Sequence, residues 1–334
     1  MLRFSVLDQS TIVTGRSPDA SIRESLSLAR YCESLGYARC WVAEHHNSEA
    51  IAGTAPEVLI AAIAATTTRI RVGSAGVMLP HYSAFHVAEQ FRVLEAIAPG
   101  RIDLGLGRAP GSEMRTAYAL NPQADTAADR FPEQIRDLLS WLAGEPLAEG
   151  HPFRDVRAHP QGPSVPEVWV LGSSGYGAQV AAFFGLPYCF AHFITDGRGT
   201  EEALTLYRDN YRPSARYPNP HPALCVWALA AETEEVAERL FMSRALWRLG
   251  RDQGIYTALP SPEEAAVYPY TEADHARIAR IRERAILGTS AEVGEKLRSL
   301  ATTNRVDEIA ILTTIHDPEA RRRSYALLAR EFGL

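Results

Sequence analysis

The sequence predicts an α/β protein folded as a closed (β/α)8 TIM barrel. Three observations carry that prediction. Short apolar runs alternate with stretches of helical spacing along the chain. Eight such strand–helix pairs can be counted. The length, 334 residues, suits a barrel that carries insertions. Strict alternation implies parallel strands, because each return to the same sheet edge needs a crossover. An open doubly wound sheet is the alternative.

The elements follow in order. Residues 4–7 form a short apolar run. Residues 21–35 place apolar side chains at helical spacing and stop at Gly36. Residues 39–43 read as a strand and 56–68 as a helix. Residues 70–79 read as a strand stopped by Pro80, and 85–98 as a helix stopped by Pro99-Gly100. Residues 101–106 alternate like a strand, and 126–142 are helical. The second half repeats the beat, with strands at 167–171, 187–190, 224–231 and 307–312 and helices at 176–184, 201–211, 234–249 and 318–332. Three stretches lie outside it: 109–125 after the fourth strand, 143–166 with five prolines, and 250–290, which has a helical stretch of its own at 271–286. With neither a linker nor a further repeat, one domain over 1–334 is expected.

Composition narrows the function. The net charge is −6, with 40 acidic and 34 basic residues, and no basic run exists, so nucleic acid is not an expected partner. Cys32, Cys40, Cys189 and Cys225 lie in apolar contexts without a CxxC pair and read as small buried hydrophobes. No apolar run has membrane-spanning length, and no signal-peptide pattern precedes the first strand; a soluble cytoplasmic protein is expected. The 56–68 helix is apolar around its whole circumference, whereas an outer barrel helix keeps a polar face. Burial against a second copy in a two-fold homodimer explains it; cover by an insertion is the alternative.

Four constellations carry chemistry. Glu44-His45-His46 closes the second strand, at the rim where barrel active sites are built. Histidine exchanges protons near neutral pH, and Glu44 or His46 would orient His45. Neighbouring histidines on a strand point to opposite faces and share one metal poorly, so no metal site is expected and metal-dependent hydrolysis is the weaker reading. The turn from Leu171 through Ser173, Ser174, Gly175 and Tyr176 offers small residues and free N–H groups at a helix start, which favour a phosphate; serine capping without a ligand is the alternative. Its spacing is not GxGxxG, so a nicotinamide fingerprint is unsupported. Gly105 to Gly111 sets Arg108 beside that turn with a planar fork for phosphate oxygens. Arg130 is a candidate for the same anion or for a surface carboxylate. Small residues from Gly73 to Gly76 leave room for a flat ring, or serve barrel packing. His192-Phe193, after the sixth strand, is assigned to the substrate side, with core packing open for Phe193.

These pieces in this order resemble the luciferase-like flavin-dependent monooxygenases, the family of bacterial luciferase. The match is densest in Trp41-Val-Ala-Glu-His-His, in residues 73–80, in Gly100-Arg-Ile-Asp-Leu-Gly-Leu-Gly-Arg and in Leu171-Gly-Ser-Ser-Gly-Tyr. The resemblance implies a two-component monooxygenase. Reduced FMN arrives from a partner NAD(P)H:flavin reductase, O2 adds to give a C4a-hydroperoxide, and a small organic substrate is oxygenated, by analogy in secondary metabolism. It implies that His45 is the catalytic histidine of a Glu44–His45–His46 triplet. It also implies that Arg108, Ser174 and Arg130 hold the flavin phosphate, that Ala75-Gly76 is a non-proline cis peptide beneath the isoalloxazine ring, and that 250–290 is a closing loop. Gly107 stands where luciferase has cysteine, which opens the pocket beside the ring, and Ser173 where it has glutamate. Luciferase's aldehyde substrate and its light emission therefore do not carry over. An F420-dependent oxidoreductase of the same fold and a non-catalytic flavin-binding accessory protein remain the rival readings.

Overall fold

The computed structural model describes residues 2–109 and 113–334. Its strands are β1 (Arg3–Asp8), β2 (Arg39–Val42), β3 (Arg71–Ser74), β4 (Val77–Met78), β5 (Ile102–Gly107), β6 (Glu167–Gly172), β7 (Tyr188–Phe190), β8 (Pro222–Ala231), β9 (Ile286–Thr289) and β10 (Glu308–Leu312). Neighbours run β10-β1-β2-β3-β5-β6-β7-β8, all parallel, and β10 also pairs with β8, which closes the eight-stranded barrel. The expected 70–79 strand is interrupted: β3 stops at Ser74 and β4 resumes at Val77, paired with β5. Between them Ala75-Gly76 is a non-proline cis peptide.

The helices are α1 (Pro18–Leu35), α2 (Pro56–Thr66), α3 (Ala84–Ile97), α4 (Met114–Leu120), α5 (Ala124–Ala127), α6 (Phe131–Ala143), α7 (Gly175–Phe184), α8 (His192–Thr195), α9 (Thr200–Asp209), α10 (Glu234–Asp252), α11 (Pro262–Val267), α12 (Glu272–Glu283), α13 (Ser290–Asn304) and α14 (Pro318–Phe332).

The period-two pattern of the strands builds two apolar layers. One set, including Val6, Val72, Leu104, Val170, Val226 and Ile311, packs under the helices. The other, including Leu7, Trp41, Trp169, Cys189, Cys225 and Ala310, fills the barrel. All four cysteines are buried and unpaired. A charged network floors the interior. The buried carboxylate of Asp103 accepts from Arg39 (2.8 Å), Trp41 Nε1 (2.9 Å) and Arg71 Nε (2.8 Å), and Arg39 Nε also reaches Glu308 (2.8 Å).

Four further stretches depart from the sequence expectation. The helix expected at 271–286 ends at Glu283, and Ile286–Thr289 is a strand. The physical reason lies in β8. Its residues 224–227 pair with β10, but it runs on to Ala231, and β9 pairs with that exposed overhang. Residues 290–304, unassigned from sequence, form α13, whose Thr289–Glu292 capping box satisfies the first amides. The 109–125 insertion contains α4. The helix expected at 126–142 is divided into α5, a 3-10 turn and α6, with Pro132 in the first turn of α6, where its missing N–H costs nothing.

Helix α2 buries Leu59, Ile60, Ile63 and Ala64. Val58 stays 63% exposed, and Val93 and Ile97 of the adjoining α3 are 48% and 50% exposed. No described helix is long and apolar enough to cross a membrane.

Candidate active site

Adjacency in the barrel orders the site. β2, β3, β5, β6 and β7 are consecutive neighbours. The residues at their carboxyl ends therefore form one arc of the rim: His45, then Ala75-Gly76, Arg108, Ser173-Ser174 and His192.

The acidic and basic members of the triplet divide their work. Glu44 is fully buried and accepts three hydrogen bonds, from Met78 N (2.9 Å), Tyr82 Oη (2.6 Å) and His46 Nε2 (2.7 Å). It ties the end of β2 to β4 and to the turn that follows. Burial, then the bond to Glu44, push the Tyr82 phenol well above its usual range, so Tyr82 stays a donor. His46 is held by Glu44 and meets the ring of His81 edge-on at 6.2 Å. His45 is left over. Its amide donates to Gly53 O (2.8 Å), while its buried Nδ1 has no partner among the described residues. Burial first, and then the charge of Arg251, push its imidazole down to about 4 against the opposing pull of Glu44. At neutral pH His45 is thus an uncharged ring with one nitrogen to accept and one to donate.

The small residues of β3 and β5 serve backbone approach. A Cβ on Gly73 would stand 2.3 Å from Asp103 O, and one on Gly105 would stand 2.1 Å from Ser74 O. Ser74 Oγ bridges the strands, donating to Gly105 O (2.9 Å) and accepting from Gly105 N (3.0 Å). At Gly76 a Cβ would meet Gly105 O at 2.8 Å and Leu171 Cδ1 at 2.9 Å. At Gly107 a Cβ would stand 3.1 Å from Met78 Sδ, so that flexible side chain borders the space the glycine leaves.

The serine turn leads into α7. Ser174 occupies the N-cap position in extended conformation, yet its side chain makes no cap bond. Its hydroxyl does not cap the helix, and the first amides of α7 have no side-chain acceptor among the described residues. Tyr188 Oη donates to Ser174 O (3.1 Å) and fixes the turn. Arg108 is exposed and lies 4.0 Å over the ring of Tyr176, so fork, hydroxyl and helix start are adjacent. Pro110 and Gly111 lie outside the described residues. Arg130 is not brought to this group by any described contact; it is exposed and hydrogen-bonds Gln123 (3.4 Å). It ends the 3-10 turn before α6, beyond the 109–125 insertion and not on a barrel strand.

His192 and Phe193 open α8. Burial lowers the His192 pKa and Asp196 opposes the shift. Phe193 packs on the barrel-filling cluster. Across the mouth, Leu259 joins the loop after β1, with Thr14 N donating to Leu259 O (2.9 Å) and Leu259 N to Ile12 O (2.8 Å). Trp247 Nε1 donates to Thr257 O (2.8 Å) beside it. Part of the 250–290 segment is thus tied to the loop after β1.

Tyr82, the Met78 amide and Arg251 escaped sequence reasoning. No local pattern joins them to Glu44 or His45; only the closed barrel does. Among the described residues no cluster of three or more His, Cys, Asp or Glu is arranged to hold a metal ion.

The profile of the luciferase-like monooxygenase family matches residues 2–305. The chain belongs to that family. N-acetyl-S-alkylcysteine monooxygenase of Bacillus subtilis (strain 168) is 37% identical over 332 residues, covering 98% of each chain. The crystal structure of apo-MsnO8 superposes with a TM-score of 0.91 at 37% identity, covering 100% of this chain and 99% of the other. A more distant likeness, of fold alone, is the oxygenating constituent of 3,6-diketocamphane monooxygenase from Pseudomonas putida in complex with FMN. It has a TM-score of 0.72 at 18% identity, covering 99% of this chain and 97% of that one. The luciferase-like chain is a flavin-dependent monooxygenase by class.

Proposed function

We propose that this luciferase-like monooxygenase is the oxygenating half of a two-component system that takes reduced FMN from a separate NAD(P)H:flavin reductase and oxygenates a small organic substrate with O2. The observation that carries this reading is the neutral, unpartnered His45 Nδ1 on the same rim arc as the Arg108–Ser174–α7 group.

The residues present fit FMN. Arg108 offers a fork, Ser174 an uncommitted hydroxyl and α7 its first amides, the donor set a terminal phosphate needs. When bound, reduced FMN supplies the electrons that activate O2. The chain does the rest. Ala75-Gly76 and the close β3–β5 pair form a rigid surface for the ring. Glu44 fixes β2 against β4 and so positions His45, which relays a proton to or from the reacting oxygen. The Leu259 crossing keeps water out. Arg130 is a weaker candidate for the phosphate. The apolar face of Val58, Val93 and Ile97 is read as the contact of a two-fold homodimer.

Anaerobic titration with reduced FMN and with reduced F420 tests the cofactor; tighter binding of F420 would move the chain to the deazaflavin reading. Turnover is read by mass spectrometry over a panel of aldehydes, ketones and thioethers. His45→Ala is expected to keep FMN affinity and lose about 100-fold or more in oxygenation rate. Unchanged turnover would remove His45 from the mechanism.

A further inference from the structure

Trp227 of β8 belongs to the cluster that fills the barrel. The guanidinium of Arg244, on α10, lies 4.1 Å over its ring. Both side chains are buried, Arg244 at 5% and Trp227 at 4% exposure. Arg244 makes no hydrogen bond or ion pair among the described residues, and the indole N–H of Trp227 has no acceptor there either. A ring face does not satisfy five N–H donors, and buried polar groups are otherwise almost always paired. Burial, then repulsion from Arg248, push the Arg244 pKa down to about 9, with Asp196 opposing, so it remains a cation at neutral pH. A buried charge without a counter-charge is strongly destabilising.

The two groups line one cavity of about 10 Å³, room for a single water-sized group. Its other charged and titratable walls are accounted for. Asp196 is taken, since both its oxygens accept from Arg248, Oδ2 at 3.0 Å and Oδ1 at 3.3 Å. His192 is held toward neutrality by burial, opposed by Asp196. Arg284 is exposed and has no ion pair among the described residues. Two buried donors, one of them charged, thus face a space whose one carboxylate is engaged elsewhere. A water offers them lone pairs but no charge. A monatomic anion offers both. Carboxylate, sulfate and phosphate groups are too large for the space.

We propose that Arg244 and the indole N–H of Trp227 bind one halide ion, with chloride as the natural occupant. Ile281 of α12 and Ile286 of β9 form the far wall, so the ion neutralises the buried guanidinium and fastens the α12–β9 segment to the barrel. The site lies over β8, away from Arg108 and Ser174, which follow β5 and β6, and the inference does not depend on the flavin.

The test uses the full chain and three sodium salts at equal ionic strength: chloride, bromide and acetate. Crystals grown in bromide are read by anomalous diffraction. The indole N–H resonance of Trp227, assigned through Trp227→Phe, is followed as each salt is titrated. One bromide peak is expected within hydrogen-bond reach of both Trp227 Nε1 and the Arg244 guanidinium. Chloride and bromide should shift the resonance and saturate below about 50 mM, while acetate leaves it in place. Arg244→Gln should weaken chloride binding about tenfold or more. Arg244→Lys should weaken it less, since it keeps the charge but not the fork. A cavity that holds water only in bromide-grown crystals would overturn the proposal. So would acetate acting as well as chloride, or chloride binding indifferent to Arg244→Gln. If the variants fail to fold, by circular dichroism, the diffraction and salt titrations of the parent chain still decide.

Discussion

Two glycines on one strand give a sharp test of how the rim is built. Gly105→Ala would place a methyl group 2.1 Å from Ser74 O and 2.7 Å from Leu171 Cδ1. Contact at van der Waals distance lies near 3.5 Å, so the strands must part by more than about 1 Å. Overpacking of this kind costs about 2–3 kcal/mol. The parting also breaks both bonds between Ser74 Oγ and Gly105, worth about 1 kcal/mol each. The sum is about 4–5 kcal/mol. Unfolding entropy of about 2.1 cal/mol/K per residue gives about 0.7 kcal/mol/K for this chain, and the loss becomes a melting shift of about 6 °C. Gly107→Ala is the control. Its methyl group would meet the flexible Met78 Sδ at 3.1 Å, and alanine stiffens the unfolded chain by about 0.4–1 kcal/mol in compensation. Its melt should stay within about 1 °C of the parent. Neither glycine has a positive φ, so the contrast is steric. Thermal melts by circular dichroism decide it. A Gly105→Ala melt within about 1 °C of the parent chain, or a Gly107→Ala melt lowered as far as Gly105→Ala, refutes the reasoning.

Other outcomes follow from the same geometry. Burial alone would raise the Glu308 pKa, but His221, Arg39 and Ser5 outweigh it and bring it to about 2. The unfolded value is about 4.3, so the stability Glu308 contributes is complete above that pH and is lost as pH falls toward 2. Glu308→Gln should cost about 3 kcal/mol at pH 7 and flatten the melting curve against pH in that acid window, read by circular dichroism. Arg108→Met should raise the FMN dissociation constant about tenfold or more, measured by flavin fluorescence, and Ser174→Ala about threefold. Val58→Glu places a charge on the exposed α2 face and should turn dimer into monomer in sedimentation velocity; an unchanged sedimentation coefficient would move the subunit contact elsewhere.

Much of the barrel was readable because its signal is local. Each strand run carries its own alternation, and stops such as Gly36 and Pro99-Gly100 lie within a residue or two of the observed ends. The rim triplet was readable for the same reason: charged residues after an apolar run have one sensible place in a parallel barrel. The division of labour inside it was not. That Glu44 engages His46, Tyr82 and Met78 rather than His45 follows from contacts between strands, which no spacing encodes. Strand β9 was hidden because Ile286-Leu287 continues the apolar rhythm of Ile278 and Ile281, and only the overhang of β8 makes it a strand. Thr289 and Glu292 carry a capping-box signature for α13, a local signal that the strand–helix beat passes over. Arg244 of α10 belongs by pattern to an ordinary solvated face; its burial over Trp227 is tertiary.

The last strand to be made, β10, is the one that lies between β1 and β8. While the chain emerges from the ribosome, the first strand waits with one side of its backbone unsatisfied until residues some 300 positions later arrive. Such an edge invites pairing with other chains. Birth is therefore the exposed moment of this protein. Truncations just before Glu308 should aggregate rather than yield a smaller soluble barrel, and shielding of nascent β1 should raise the yield of folded protein.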